Sequence, residues 1–153
     1  MTSSLVGSEM CIRDRDREIG ARFKHIHDKF TQHMNQKLRC LNVTYSQMEL
    51  LLYLAEHQNR KITQKDIGEF MRVKHSTVIG ILRRLETKGF LYCVVDEENK
   101  RCRNVILTQK GLDLKSEMEA HLREEEMRIR KALSDEESQR LCELLGKVLE
   151  SLE

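Results

Sequence analysis

Apolar residues in the first third of the chain recur at spacings of three and four residues, which predicts one side of an α-helix of about six turns. The positions in this stripe are Ile19, Phe23, Ile26, Phe30, Met34, Leu38 and Leu41. A second helix is predicted from Thr44, because Gln47 follows at the spacing of a capping box, and a shorter third helix from Thr63. The long stripe must be buried against another apolar surface.

The fourth predicted helix separates apolar residues from small, polar and basic ones. Its apolar side follows the i, i+3, i+4, i+7 pattern of a buried face and carries Val78, Ile81, Leu82 and Leu85. The opposite side carries Ser76, Thr77, Gly80, Arg83, Arg84 and Thr87. Gly89 is placed to end this helix in a left-handed conformation. Two β-rich runs, 90–95 and 103–107, then predict a hairpin with a charged turn.

Two further helical regions complete the order. Thr108 is placed to cap a long helix, and Ser134 with Glu137 has the capping-box spacing before a leucine-rich stripe. Two short, closely linked helices followed by a hairpin give the order of a winged helix-turn-helix. The predicted fold is therefore mainly α with a small β-hairpin wing, a winged helix-turn-helix flanked by N- and C-terminal dimerisation helices.

Surplus apolar surface is the reason for expecting dimerisation. The stripes at residues 16–41 and 134–152 are longer than a lobe over residues 44–111 can cover, so they predict pairing with a second copy in a two-fold symmetric homodimer. Residues 16–42 and 112–153 are accordingly assigned to dimerisation within a single domain, 16–153. The leader at residues 1–15, MTSSLVGSEMCIRDR, has no period and is interpreted as non-native or disordered.

The charge distribution points to a polyanionic partner. The formal net charge is only +2, yet residues 58–111 hold 12 basic and 6 acidic side chains, whereas residues 112–153 hold 7 and 12. Proline is absent and 34% of the residues are charged, which is typical of helix-rich proteins with much exposed surface. Neither a membrane-spanning run nor a secretory signal is visible, so we expect a cytoplasmic protein without membrane contact.

Catalytic and metal-binding motifs are not found. The sequence contains no G-x-S-x-G elbow, no H-E-x-x-H and no glycine-rich phosphate loop, so an enzyme is not expected. The five cysteines are widely spaced without a C-x-x-C pair, which predicts reduced thiols and no structural zinc site. No cofactor and no metal are expected.

The polar side of the fourth helix suits duplex DNA. An α-helix fits the major groove, where small polar and basic side chains near its N-terminus reach base edges. Residues 74–84, KHSTVIGILRR, supply such a surface. The two copies of this helix in a dimer would face successive major grooves about one helical turn apart, so the expected partner is double-stranded DNA with a palindromic operator.

From about residue 16 onward, the chain resembles transcriptional regulators of the multiple antibiotic resistance regulator (MarR) family. The motifs that carry the resemblance are TYSQMELLLYLAEH, TQKDIGEFMRVKHSTVIGILRRLETKGFL and NKRCRNVILTQKG. In the family the last of these usually has an acidic residue, two arginines, a spacer and V-x-L-T-x-x-G. The resemblance implies a homodimeric repressor that is released from DNA by a small phenolic or otherwise amphipathic effector, bound between the dimerisation helices and the DNA lobe.

The resemblance also implies which residues contact DNA. Lys74, His75, Ser76 and Thr77 become the major-groove residues, and Arg101 at the wing tip would enter the minor groove. The complete predicted DNA-binding set is Thr63, Gln64, Lys74, His75, Ser76, Thr77, Arg83, Arg84, Lys100, Arg101 and Arg103.

The chain departs from the family pattern at four of its positions. Asn99 stands where the family usually has an aspartate that orients the wing arginine, and Lys100 replaces the first arginine. Ile79 and Gly80 replace residues that are often polar. The departures concern both the geometry of the wing and the base preference.

Three alternatives remain open at this stage. Cys40, at the junction of the first two helices, is a candidate redox thiol for an oxidant-sensing repressor on the same fold. Glu117, His121 and Glu125 share one helix face and could serve a metal-sensing repressor. The third alternative is a dimeric adaptor that does not bind DNA, in which the acidic C-terminal region would suit a basic protein partner.

Overall fold

The computed structural model describes residues 18–152, and the leader predicted over residues 1–15 lies outside this range. The described elements, in chain order, are α1 (Ile19–Lys37), a 3₁₀ helix (Leu38–Leu41), α2 (Tyr45–Glu56), α3 (Gln64–Met71), α4 (His75–Thr87), β1 (Leu91–Val95), β2 (Arg103–Leu107), α5 (Gln109–Asp113), α6 (Lys115–Arg130) and α7 (Asp135–Glu150). The predicted fold class, a mainly helical chain with a two-stranded wing, is confirmed. Among these helices none has the length and apolar character needed to span a membrane.

The described residues divide into two compact units, 18–45 and 46–152. In the first unit the predicted stripe is buried only towards its C-terminal end, at Met34, Leu38 and Leu41, whereas Ile19 and Ile26 are each 64% exposed. Asn42 ends the 3₁₀ helix in the left-handed conformation, with φ 56°.

The second unit contains an apolar core to which every helix from α2 to α4 and both strands contribute. Helix α3 packs on α4, α4 packs on β1, and α3 also contacts β2. The fully or almost fully buried apolar side chains include Met48, Leu50, Leu51, Leu54, Ile62, Ile67, Val78, Leu82, Leu85, Leu91 and Val105. This arrangement holds the predicted helix-turn-helix and the hairpin in one lobe.

Local capping sets the starts of two helices as predicted. The Thr63 hydroxyl accepts a hydrogen bond from the Asp66 backbone amide (3.3 Å), and the Asp66 carboxylate accepts one from the Thr63 amide (2.7 Å). Ser134 and Glu137 form the same reciprocal pair at the start of α7. Each capping box satisfies two backbone amides that the helix itself leaves unpaired.

The hairpin has the predicted strands, and its base is fixed at several points. The antiparallel register runs from Leu91 opposite Leu107 to Val95 opposite Arg103. Gly89 has φ +74°, the left-handed conformation expected of it. Thr108 donates its backbone amide to the Phe90 carbonyl (3.0 Å) and its hydroxyl to the Gly89 carbonyl (2.7 Å).

Gly111, in α5, lies in close contact with the residues at the base of the hairpin. A Cβ atom at this position would overlap the Phe90 carbonyl oxygen and lie 2.8 Å from Leu107 Cδ1. The glycine is thus required because the start of α5 approaches the backbone of the hairpin too closely for any side chain.

The long helix predicted after Thr108 is interrupted. Helix α5 ends at Asp113 and α6 starts at Lys115, with Leu114 between them at φ −75° and ψ −14°. This ψ is well short of the α-helical value of about −42°, so the regular ladder of hydrogen bonds is broken there. Neither glycine nor proline marks the break in the sequence.

Candidate DNA-binding surface

Helix α4 presents one side to the core and the other to solvent. Lys74 is its extended N-cap residue, and His75, Ser76 and Thr77 in the first turn are all exposed. Val78, Ile81, Leu82 and Leu85 are buried, as predicted, and Arg83 and Arg84 are exposed. The structure therefore brings the predicted major-groove residues together on the solvent side of one helix. The exposed side also includes an apolar residue, Ile79, which is 46% exposed.

Both ends of α4 are held in place by hydrogen bonds. At its start, Arg72 adopts a left-handed conformation with φ 53°, and the Val73 amide donates to the Gly68 carbonyl across the turn (3.1 Å). At its end, the Lys88 ammonium donates to the Gln47 side-chain oxygen of α2 (3.0 Å). Burial lowers the pKa of Lys88, and the positive charge of Arg84 lowers it further. Hydrogen bonds to α3 at its start and to α2 at its end thus fix the position of α4.

Basic side chains of this lobe differ in whether a carboxylate lies close to them. Lys61 lies 3.2 Å from an Asp96 carboxylate oxygen and Lys65 lies 3.7 Å from a Glu69 carboxylate oxygen. By contrast, six predicted DNA-binding cations have no carboxylate within 4.0 Å among residues 18–152, and these are Lys74, Arg83, Arg84, Lys100, Arg101 and Arg103. All six are exposed. Their charges are consequently available to phosphate groups.

The wing tip is organised by Asp96, a residue that the sequence reasoning did not select. One Asp96 oxygen accepts hydrogen bonds from the amides of Glu98 (2.9 Å) and Asn99 (3.0 Å). The other accepts from the Asn104 side-chain amide (2.6 Å) and faces Lys61. Together these donors hold the pKa of the buried Asp96 carboxyl far below its ordinary value, with the Asn104 hydrogen bond as the largest cause.

This network joins the wing to the segment that precedes α3. The Val105 amide donates to the Ile62 carbonyl (2.8 Å), and Thr63 and Asn104 form an isolated β-bridge. Asp96, Lys61 and Asn104 are therefore positioning residues for the wing. A signal was present in the sequence, since Asp96 begins the polar turn, but its partners become evident only from the strand register.

Asn99, which stands at the position of the family's aspartate, makes two hydrogen bonds within the wing turn. Its side-chain oxygen accepts a hydrogen bond from the Arg101 backbone amide (3.1 Å), and its carbonyl accepts one from the Cys102 amide (2.8 Å). Arg101 and Lys100 are exposed at the tip. The departure from the family pattern thus leaves a hydrogen-bonded turn that presents both cations to solvent.

Two of the residues predicted to contact DNA, Thr63 and Gln64, interact with other side chains of the protein. The Thr63 hydroxyl donates to Asp66 Oδ2 (2.7 Å) as part of the capping box. Burial, the largest cause, raises the pKa of the Cys93 thiol, whereas the Gln64 side chain lowers that pKa. Both residues are half-buried, so they lie further from solvent than the α4 and wing groups.

The alternative redox and metal sites have the following geometry. Cys40 is exposed in the 3₁₀ helix, and its Sγ atom lies 3.2 Å from the Lys37 carbonyl oxygen. Of the three potential metal ligands on α6, Glu125 is fully buried and ion-paired with Arg128. His121 Nδ1 lies 3.9 Å from a Glu124 carboxylate oxygen.

Comparisons with known proteins identify related transcription regulators. The MarR family model matches residues 43–103. Among solved structures, Staphylococcus aureus MepR in complex with DNA is 32% identical, with 89% of this chain and 99% of that chain covered and a TM-score of 0.83. The organic hydroperoxide resistance transcriptional regulator of Bacillus subtilis is 33% identical over 57% of this chain and 58% of its own length.

Another relative, the transcriptional regulator YybA of Bacillus subtilis, is 29% identical over 73% of this chain and 78% of its own length. These relatives are transcription regulators and not enzymes. The chain belongs to the MarR family of DNA-binding transcriptional regulators.

Proposed function

We propose that the protein is a homodimeric repressor of a palindromic DNA operator, released by a small phenolic or otherwise amphipathic effector. The DNA-binding residues are those of the predicted set, with α4 in the major groove and the wing cations Lys100, Arg101 and Arg103 at the phosphates and the minor groove. Residues 16–42 and 112–153 serve dimerisation. A cytoplasmic location is part of the same proposal.

The solvent side of α4 carries the proposal. It combines short polar residues in the first turn with two arginines that no carboxylate of the described residues neutralises. A helix with this distribution can read base edges with its N-terminal residues while its arginines contact phosphate groups. The similarity to MepR, whose structure is known in complex with DNA, supports the same use of this helix.

Exposed apolar side chains support the homodimer. Leu141, Leu144, Leu145 and Leu149 of α7 are between 41% and 56% exposed, and Leu152 beyond the helix is 77% exposed. A contiguous apolar stripe of this kind on a regular helix indicates a protein interface. A two-fold dimer would in turn present two copies of α4 to successive major grooves.

The effector part of the proposal rests on the resemblance to the family. MepR is described as a regulator of a multidrug efflux pump. An effector would act by favouring an arrangement of the two lobes that does not match successive major grooves.

Selection of duplexes from a random library, by the purified full-length protein at two salt concentrations, tests the proposal. We expect enrichment of an inverted repeat with half-sites about one helical turn apart. The double variant Arg83→Ala/Arg84→Ala should bind the selected duplex at least tenfold more weakly, with a shallower salt dependence. Arg60→Ala, which changes an exposed arginine of the same lobe outside the predicted set, is the matched control and should bind normally. Failure to enrich any sequence would contradict the proposal.

A second candidate function is oxidant sensing through Cys40. Its exposure and the similarity to the organic hydroperoxide resistance regulator favour this subtype. If it is correct, peroxide should weaken binding of the selected duplex by the unmodified protein but not by Cys40→Ser. Equal sensitivity of the two proteins would exclude Cys40 as the sensor.

The remaining alternatives have less support. The metal site predicted on α6 includes Glu125, but this buried carboxylate is paired with Arg128 and is therefore a poor metal ligand. Membership of a family of DNA-binding regulators favours DNA binding over the adaptor alternative.

A further inference from the structure

Ile79 is an apolar residue on the polar side of α4. It follows Ser76 by three residues and precedes Arg83 by four, so it shares their side of the helix. It is 46% exposed, whereas Val78 and Ile81 beside it in the sequence are buried. Single exposed apolar residues are common on protein surfaces, so exposure alone does not show a function.

A second, independent observation is that the next residue, Gly80, is a glycine in the interior of the helix. Glycine is among the least favourable residues in a helix interior. Yet Gly80 lacks the positive φ of Gly89, and a Cβ there would meet only Arg84 Nη2, at an ordinary contact distance of 3.8 Å. Nothing among the described residues therefore requires glycine at this position, in contrast to Gly111, where a Cβ would overlap the backbone.

We propose that Ile79 and Gly80 together read a thymine in each operator half-site. Among the four bases only thymine presents a methyl group in the major groove, and apolar side chains recognise it by contact. The missing side chain of Gly80 would let the helix backbone approach the DNA closely enough for Ile79 to reach that methyl group. This inference rests on the proposed function, since it takes α4 as the recognition helix.

Replacement of thymine by deoxyuridine tests the contact, because it removes only the methyl group. The probe is the duplex most enriched in the selection by the unmodified full-length protein, with the thymines of each half-site replaced one position at a time. Loss of one methyl contact corresponds to about a fourfold loss of affinity, so symmetric replacement in both half-sites should weaken binding by about fifteenfold.

Variants at Ile79 test whether this side chain causes the preference for thymine over deoxyuridine. Ile79→Ala should bind the thymine and deoxyuridine duplexes equally, because it has no side chain long enough to reach the methyl group. Ile79→Val, which keeps a branched apolar side chain, should retain most of the preference. Ile106→Ala, an exposed isoleucine on β2, is the matched control and should keep the full preference.

Gly80→Ala should change Tm and DNA affinity in opposite directions, which is not expected if Gly80 serves only the fold. The substitution should raise Tm, because alanine favours the helix and the added Cβ meets no obstacle in the chain. The same variant should bind the selected duplex at least tenfold more weakly. Gly68→Ala, at a helical glycine of α3 where a Cβ would make only ordinary van der Waals contacts, should leave DNA binding unchanged.

Two results would overturn the inference while the proposed function stands. The first is a selected duplex in which no thymine position distinguishes the unmodified protein from Ile79→Ala. The second is normal DNA binding by Gly80→Ala. If no duplex is enriched at all, the proposed function itself fails, and this inference fails with it.

Discussion

Helices α4 and α7 have similar amphipathic patterns but different surroundings. The four apolar residues on the inner side of α4 are at most 8% exposed, whereas Leu141, Leu144, Leu145 and Leu149 of α7 are at least 41% exposed. Conversely, the polar side of α4 has arginines without a carboxylate partner among the described residues, while on α7 Arg140 is paired with Glu143 (3.1 Å).

The difference shows that an amphipathic pattern alone does not reveal whether the apolar side of a helix is buried within its own chain. The apolar side of α4 is buried within the chain, so its exposed polar side is available for a ligand. In α7 the apolar side is the exposed one, which is the pattern of a protein interface. In the proposed function, DNA binding and self-association therefore belong to different helices, α4 and α7.

The largest effect is expected from truncating the buried side of α4. Leu85 is fully buried, and Leu85→Ala should lower the free energy of unfolding by about 3 kcal/mol, with a decrease in Tm on the order of 10 °C. Thermal unfolding at two protein concentrations measures this. The decrease should be similar at both concentrations, because the lost contacts lie within one chain; a decrease of less than about 2 °C would contradict the assigned core.

The next largest effect concerns self-association. Leu144→Glu places a charge on the exposed apolar side of α7 and should convert the dimer to a folded monomer at micromolar concentration. Sedimentation velocity measures the association, and circular dichroism checks the fold. Gln139→Glu adds the same charge to another side of the helix and should remain dimeric. A dimeric Leu144→Glu protein would remove α7 from the interface.

A smaller effect is expected from the wing. Arg101→Ala should weaken binding of the selected duplex by about tenfold and reduce the slope of log K against log salt concentration by about 2 per dimer, one for each lost phosphate contact. The sequence preference should change little if the contact is to phosphate. A change in preference at the flanking A·T positions would instead indicate minor-groove reading.

The smallest expected effect is on the pH dependence of stability. The carboxyls of Asp66 and Asp96 both have lowered pKa values, the first through hydrogen bonds from Thr63 and the second chiefly through Asn104. Because a lowered pKa stabilises the fold only while the carboxylate is ionised, this contribution is present above the ordinary carboxyl pKa of 3.8 and is lost as the pH falls through the folded-state values. Tm should therefore decrease from pH 5 towards pH 2.

Asp96→Asn should have a lower Tm at pH 5 and a flatter dependence below it, because it has no charge to lose. Glu97→Gln changes an exposed neighbour in the same turn and serves as the control. Parallel curves for Asp96→Asn and the unmodified protein would contradict the role assigned to Asp96.

Elements governed by local signals could be predicted from the sequence. The buried residues of α4, the left-handed Gly89, the N-cap at Thr63, the capping box at Ser134 and the strands of the hairpin all depend on residues within a few positions of one another. Periodicity and capping preferences are sufficient for such features.

Features that depend on distant residues could not be predicted. Lys61 and Asp96 are 35 positions apart, and they meet only because β2 pairs with the segment before α3. The interruption at Leu114 lacks a sequence signal, since neither glycine nor proline stands there. The left-handed Arg72 also lacks one, because this position does not have the glycine that usually marks such a conformation. The DNA-binding role of each predicted residue likewise stays a prediction.

The tight base of the hairpin has a consequence for how the wing can change. Gly89, Phe90, Thr108 and Gly111 fix where the strands enter and where α5 begins, whereas residues 97–101 form an exposed tip. Insertions and deletions should therefore be tolerated at the tip and not at the base. Natural variation or engineering can thus lengthen or shorten the tip and alter its reach along the DNA without rebuilding the lobe.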